Sequence, residues 1–190
     1  MLSAFKLARP LLLAAAAFSM AACDDDLGLG TWSAAPDTAT LFSLSRPDLI
    51  GLPSAYDFIN HTVFEVESPG ATGQWDIALR DEGGQLALVP AGAFEGQDSR
   101  AALALITGGT FDSLDEAPGD TSAYSRNAVV VQAGQVYAVR TRRAGCTFTT
   151  AVRFGKMRII AVDPVAGTVK FEAVVNPFCN DRSLVPPEDD

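Results

Sequence analysis

Val169, Phe171, Ala173 and Val175 alternate with Lys170 and Glu172 near the end of this chain, and no other pattern in it constrains the fold as tightly. A repeat of two places the four apolar side chains on one face of an extended strand and the two charges on the other. Residues 168–175 are therefore expected to form a strand with one buried and one wet face. The same period appears in 135–141, where Val136, Ala138 and Arg140 alternate with Tyr137, Val139 and Thr141. A third strand is expected over 157–162. Asp163-Pro164-Val165-Ala166-Gly167 joins it to the last one, with proline fixing φ and glycine supplying a positive φ for a short hairpin loop.

Earlier segments read as strands at 39–44, 56–59, 62–66, 75–80, 85–89, 101–107 and 128–131. Turn signals separate them: Ser68-Pro69-Gly70, Glu82-Gly83-Gly84, Pro90 to Gly92, and Gly108-Gly109. Within 75–80, alternation puts Trp75, Ile77 and Leu79 on one face and Asp76 and Arg80 on the other. Helix is expected only as one turn over 111–117, with Thr110 as N-cap and Pro118-Gly119 as the stop. About ten short strands at this spacing predict an all-β chain, a single antiparallel β-sandwich or open barrel with minimal helix. The expected organisation is a leader over 1–22, a tether over 23–38, a β domain over 39–180 and a disordered tail over 181–190.

The leader has Lys6 and Arg9, an apolar run over 11–18 and then Met20-Ala21-Ala22-Cys23. This is the order of a secretory signal. The run is too short for a transmembrane helix, which needs roughly 20 apolar residues. An ordinary signal peptidase could cut within the small residues of 14–22. The cysteine argues otherwise, because the chain has only three and one directly follows Ala-Ala at the end of the run. The pattern resembles the lipobox of bacterial lipoproteins. That resemblance implies a diacylglycerol on the Cys23 thiol and a cut just before it, so that acyl chains join the protein to a membrane. It places the domain in the bacterial cell envelope, periplasmic or surface-exposed, without deciding between inner and outer membrane. Asp24, Asp25 and Asp26 open the tether.

The formal net charge is −9, and removing the leader takes away two cations and no acid. Such a chain is not expected to bind nucleic acid. Cys146 and Cys179 are expected to pair in an oxidising compartment. With no CxxC spacing and one histidine, neither redox chemistry nor a metal site is expected.

No catalytic set emerges. No serine lies in a Gly-x-Ser-x-Gly elbow, and the acid pairs Asp81-Glu82 and Asp115-Glu116 sit beside turns, where solvated carboxylates are the plain reading. Arg140, Arg142, Arg143, Arg153, Lys156 and Arg158 are more distinctive, because no acid interrupts the stretch that holds them. They could form a patch for an anionic partner such as a lipid headgroup, a phosphate or a carboxylate. The favoured alternative is pairing with acids elsewhere, for example Arg158 with Glu172 across two strands.

Several short segments occur in a particular order. Trp75-Asp76-Ile77-Ala78 comes first, then Val136-Tyr137, Val139-Arg140-Thr141, then Lys156, Arg158 and Ile159, and finally Thr168, Val169, Phe171 and Glu172. This order resembles the HmuY-type lipoproteins, which implies a lipid-anchored, mostly β envelope protein and, from the founding members, haem binding. Paired axial histidines cannot come from one copy of this chain, whose only histidine is His61. His61 with Met157 is a chemically possible ligand pair, although Met157 reads as core filler. No cofactor is assigned. The expected function is a non-enzymatic binding or assembly module whose partner is an envelope protein or a small ligand. The alternatives are a haem or small-ligand carrier and, disfavoured, an envelope enzyme.

Overall fold

The computed structural model describes residue 32 and residues 35–145 and 151–187. Ten strands run through them: β1 (Asp37–Phe42), β2 (Ala55–Asp57), β3 (Thr62–Phe64), β4 (Ile77–Glu82), β5 (Gln85–Pro90), β6 (Ala102–Ile106), β7 (Val129–Val130), β8 (Val136–Arg140), β9 (Phe154–Asp163) and β10 (Thr168–Val175). Two open, antiparallel, five-stranded sheets pack as a sandwich, ordered β1-β10-β9-β8-β6 and β3-β2-β4-β5-β7. Each expected strand is present, and of the two expected architectures the sandwich is the one that forms. Among the described residues the helices are three single 3-10 turns, at Pro47–Leu49, Ala91–Ala93 and Thr121–Ala123.

The alternation predicted for β10 sets the inner layer, where Val169, Phe171 and Ala173 are almost wholly buried. Tyr56 bridges the sheets, meeting Phe58 and Phe171 edge-on at centroid distances of 5.0 and 5.1 Å. Such contacts add about 0.5–1.5 kcal/mol each beyond the area they bury. Gly167 has φ 67° in the hairpin loop, as expected, and Asp163 Oδ1 accepts from the N–H groups of Val165 and Ala166.

The outer face of the first sheet departs from expectation. Lys170 is exposed, but Val174 packs with Val136 and Phe111, and Ala102, Ala104 and Ala138 pack with Tyr124 and Leu184. The segment between β6 and β7 thus covers this face, and burying Phe111 decides its conformation. No helix forms over 111–117. Thr110 Oγ1 accepts from Ser113 N–H as a cap would, but the chain then extends, and Ala117 N–H donates to the Arg182 carbonyl. The expected tail also begins later than residue 181, because Leu184 is buried and its N–H donates to the Asp115 carbonyl. At the other end, Asp37 and Thr38 belong to β1 rather than to the tether.

Trp75 does not share a face with Ile77 and Leu79. It precedes β4 and packs with Ala55, Ala71, Ala78 and Ala91, while Ile77 and Leu79 enter the core between the sheets. Asp76 is buried rather than wet, because it accepts N–H groups from Phe58 and Arg142.

Candidate functional site

Register brings the chemistry to one end of the sandwich. Asp37 lies opposite Ala173, Val175 opposite Gly155, and Arg140 opposite both Phe154 and Ala102. These pairs mark a single end of the first sheet. The second sheet brings Asp57 and Asp76 to the same end, since both meet Arg142 just beyond β8. The chain enters the domain there too, with the Trp32 ring 6.1 Å from that of Phe178.

Asp57, Asp76 and Arg142 form a buried ionic seam between the sheets. Arg142 Nη1 donates to Asp57 Oδ1 at 2.5 Å and to Asp76 Oδ2 at 3.1 Å, and Nη2 donates to Asp57 Oδ2 at 2.9 Å. Phe58 N–H donates to Asp76 Oδ2, and Arg142 N–H to Oδ1. Ile59 N–H and the Asn60 amide donate to Asp57. Burial pushes Asp76 up to about 6 despite the Arg142 charge beside it. Burial alone would also raise Asp57, but donation from Arg142 and Asn60 brings it below its ordinary value. Arg142 also loses by desolvation, which the two carboxylates more than offset, so its charge is held. Neither aspartate side chain is exposed. The seam is a structural tie, with no carboxylate available to a substrate.

Beside it, on the outer face of the first sheet, lies an open cleft of about 590 Å³ lined by Arg100, Arg126, Arg140, Tyr124 and Phe154 among others. Arg126 Nη2 donates to the Ser99 carbonyl at 2.7 Å, and Arg140 Nε to the Arg100 carbonyl at 3.0 Å. The Arg140 guanidinium sits 5.3 Å above the Tyr124 ring, which tilts against Phe154. Burial lowers the Arg140 pKa, Tyr124 opposes this, and Arg126 and Arg100 lower it further. Among the described residues, none of these three arginines forms an ion pair with a carboxylate. Each guanidinium has five N–H donors, so most remain free for a planar anion.

The six-residue basic patch does not assemble. Arg142 is in the seam, Arg143 pairs with Asp98 at 3.5 Å, and Arg158 pairs with Glu172 directly across β9 and β10. Lys156 is buried, donates to the Leu114 carbonyl at 3.0 Å and lies over Phe111, as Arg158 also does. Arg153 donates to the Ile59 carbonyl. Only Arg140 reaches the cleft. Arg100, Arg126 and Tyr124 are the residues that sequence reasoning missed. Their one local signal is parity, since Arg100 stands two residues before the outward-facing Ala102.

No protein-family model matches the chain, and no curated protein resembles it in sequence.

His61 has φ 54° in the turn before β3, and its Nδ1 pairs with Asp37. Together with Arg153 and Val175 they line a separate cavity of about 330 Å³. Met157 is completely buried in the core between the sheets, so a His61–Met157 ligand pair cannot form. Cys179 is disulfide-bonded. Cys23 and Cys146 both lie outside the described residues, so Cys146 as its partner stays a proposal.

Proposed function

We propose that this chain is a lipid-anchored protein of the bacterial cell envelope, whose β-sandwich binds an anionic ligand without transforming it. The observation that carries this reading is the meeting of Arg100, Arg126 and Arg140 in one cleft with no carboxylate partner among the described residues. The chain has 23 acids for 14 lysines and arginines, so acids are plentiful and leaving three arginines together is not forced by scarcity. Arginine forks hold phosphate or carboxylate oxygens in pairs, and each such contact is charge-assisted. The Phe154 ring, tilted against the buried Tyr124, supplies an apolar wall for the rest of the ligand. A binding role is also supported by the seam, whose two carboxylates are sealed away from solvent. The anchor rests on the lipobox at Met20-Ala21-Ala22-Cys23 and on the resemblance to HmuY-type lipoproteins.

Calorimetric titration of the leader-free chain with phosphate, sulfate and small carboxylates tests the cleft. At least one is expected to bind, and Arg100→Gln is expected to weaken it several-fold; no binding by any anion overturns the reading. For the anchor, intact mass of the protein recovered from membranes should exceed the mass of residues 23–190 by two or three acyl chains, and Cys23→Ser should abolish the increment.

A further inference from the structure

The cleft lies at the end of the sandwich where the chain enters it. Arg140 caps β8, Phe154 opens β9, and Arg100 stands just before β6, whose Ala102 pairs with Arg140. In the same sheet Asp37 opens β1 beside the end of β10. Upstream, the Trp32 ring tilts against that of Phe178, just past that end of β10. Among the described residues, the first contact of the chain with the domain is therefore close to Cys23 in sequence. Nine residues at full extension span about 30 Å, comparable to the width of a small domain. A membrane holding Cys23 would face this end more readily than the far one, which carries the β9–β10 hairpin and the Val165 tip.

We infer that the anion bound by Arg100, Arg126 and Arg140 is the phosphate of an anionic lipid headgroup, so that the cleft seats the sandwich end-on upon the membrane that anchors it. This rests on the anionic-ligand reading above and adds the source of the anion. Three features of the site suit such a ligand. The cleft is open rather than enclosed, so a headgroup can enter while its acyl chains stay in the bilayer. Among the described residues no carboxylate neutralises the arginines, so each can contribute its attraction to an anionic surface. Phe154, half-buried in the cleft wall, gives the apolar part of a headgroup a surface to lie against. The acidity of the whole chain does not cancel this attraction, because at physiological salt charges beyond about 8 Å are screened. The affinity need not be high, since a lipid on Cys23 would make headgroup capture intramolecular.

The test uses the leader-free chain from residue 23 with Cys23→Ser, so that no acyl chain contributes. Its partitioning onto vesicles of phosphatidylcholine with added phosphatidylglycerol is compared with that onto phosphatidylcholine alone, and with binding of glycerol phosphate in solution. Binding to the phosphatidylglycerol vesicles is expected, together with a loss of about 100-fold when all three arginines become glutamine and about five-fold for Arg100→Gln alone. The single variant serves if the triple variant does not fold by circular dichroism, because the Arg100 guanidinium makes no hydrogen bond among the described residues. Capture of glycerol phosphate in solution without vesicle binding would overturn the headgroup and leave the anionic ligand standing. Binding of neither would overturn the headgroup, and would remove the anionic ligand as well where phosphate, sulfate and small carboxylates also fail to bind. Vesicle binding that persists undiminished in the arginine variants would overturn the cleft as its cause.

Discussion

Arg142 grips Asp57 with both ends of its guanidinium, at 2.5 and 2.9 Å, although 85 residues separate the two in sequence. The pair joins one sheet to the other, and Asp76 completes it from the segment before β4. Both carboxylates have left water, so each depends on the single cation between them.

Removing that cation should be costly. Arg142→Met leaves two buried carboxylates without a counter-charge and is expected to destabilise the domain by about 3–5 kcal/mol. Arg143→Met breaks only the exposed pair with Asp98 and should cost at most about 1 kcal/mol. Urea unfolding of the two variants side by side measures the difference, and equal losses would contradict the structural role assigned to the seam.

The seam also predicts a pH dependence with a definite sign. Asp76 rises from 3.8 to about 6 on folding, so between those values the native state keeps a proton that the unfolded chain has released. Stability from this group therefore falls as pH climbs from about 4 to about 6, by about 3 kcal/mol at most. Asp57, held below its ordinary value, acts in the opposite sense, and its contribution is lost only as pH drops beneath the usual carboxylate range. Subtracting the urea midpoints of Asp76→Asn from those of the native chain across this window should leave a declining curve.

Gly92 lies beneath the arginine cleft. A Cβ there would come within 2.6 Å of the Ser99 carbonyl oxygen, which holds Arg126, and 3.2 Å from Arg126 Nη2. Gly92→Ala is expected to cost about 1–3 kcal/mol through overpacking and to weaken anion binding by displacing Arg126. Gly145→Ala, where the added carbon meets nothing within 4 Å, should change neither. Calorimetry and thermal unfolding of both variants separate the effects.

Mass spectrometry of the unreduced protein should find Cys179 linked to Cys146, leaving Cys23 for the lipid. On the chain-entropy view the bridge contributes roughly 3–4 kcal/mol, so reduction should lower the melting temperature by several degrees. A Cys179 peptide joined to Cys23 instead would contradict both the pairing and the anchor.

Strand positions were legible because alternation is local. Val169, Phe171, Ala173 and Val175 declare a buried face within eight residues, and the hairpin loop before them declares its turn through Gly167. Where local signals failed, a distant partner had intervened. Residues 75 and 76 look like the start of a strand, yet Asp76 turns inward to accept N–H groups from Phe58 and Arg142. Thr110 looks like a helix cap, yet Phe111 gains more by burial beside Val136 and Val174 than a single helical turn could offer.

The sequence by itself determined an all-β chain, the approximate places of its strands and the Arg158–Glu172 pair, because side-chain period and cross-strand register act over short distances. Only the tertiary structure decided which charges would be buried, paired or left free. Arg140, Arg142 and Arg143 are near neighbours in sequence, and they end respectively in an open cleft, a buried seam and an exposed ion pair. Their fates depend on Arg126, Asp57 and Asp98, which reach them only once the strands have paired and the two sheets have closed.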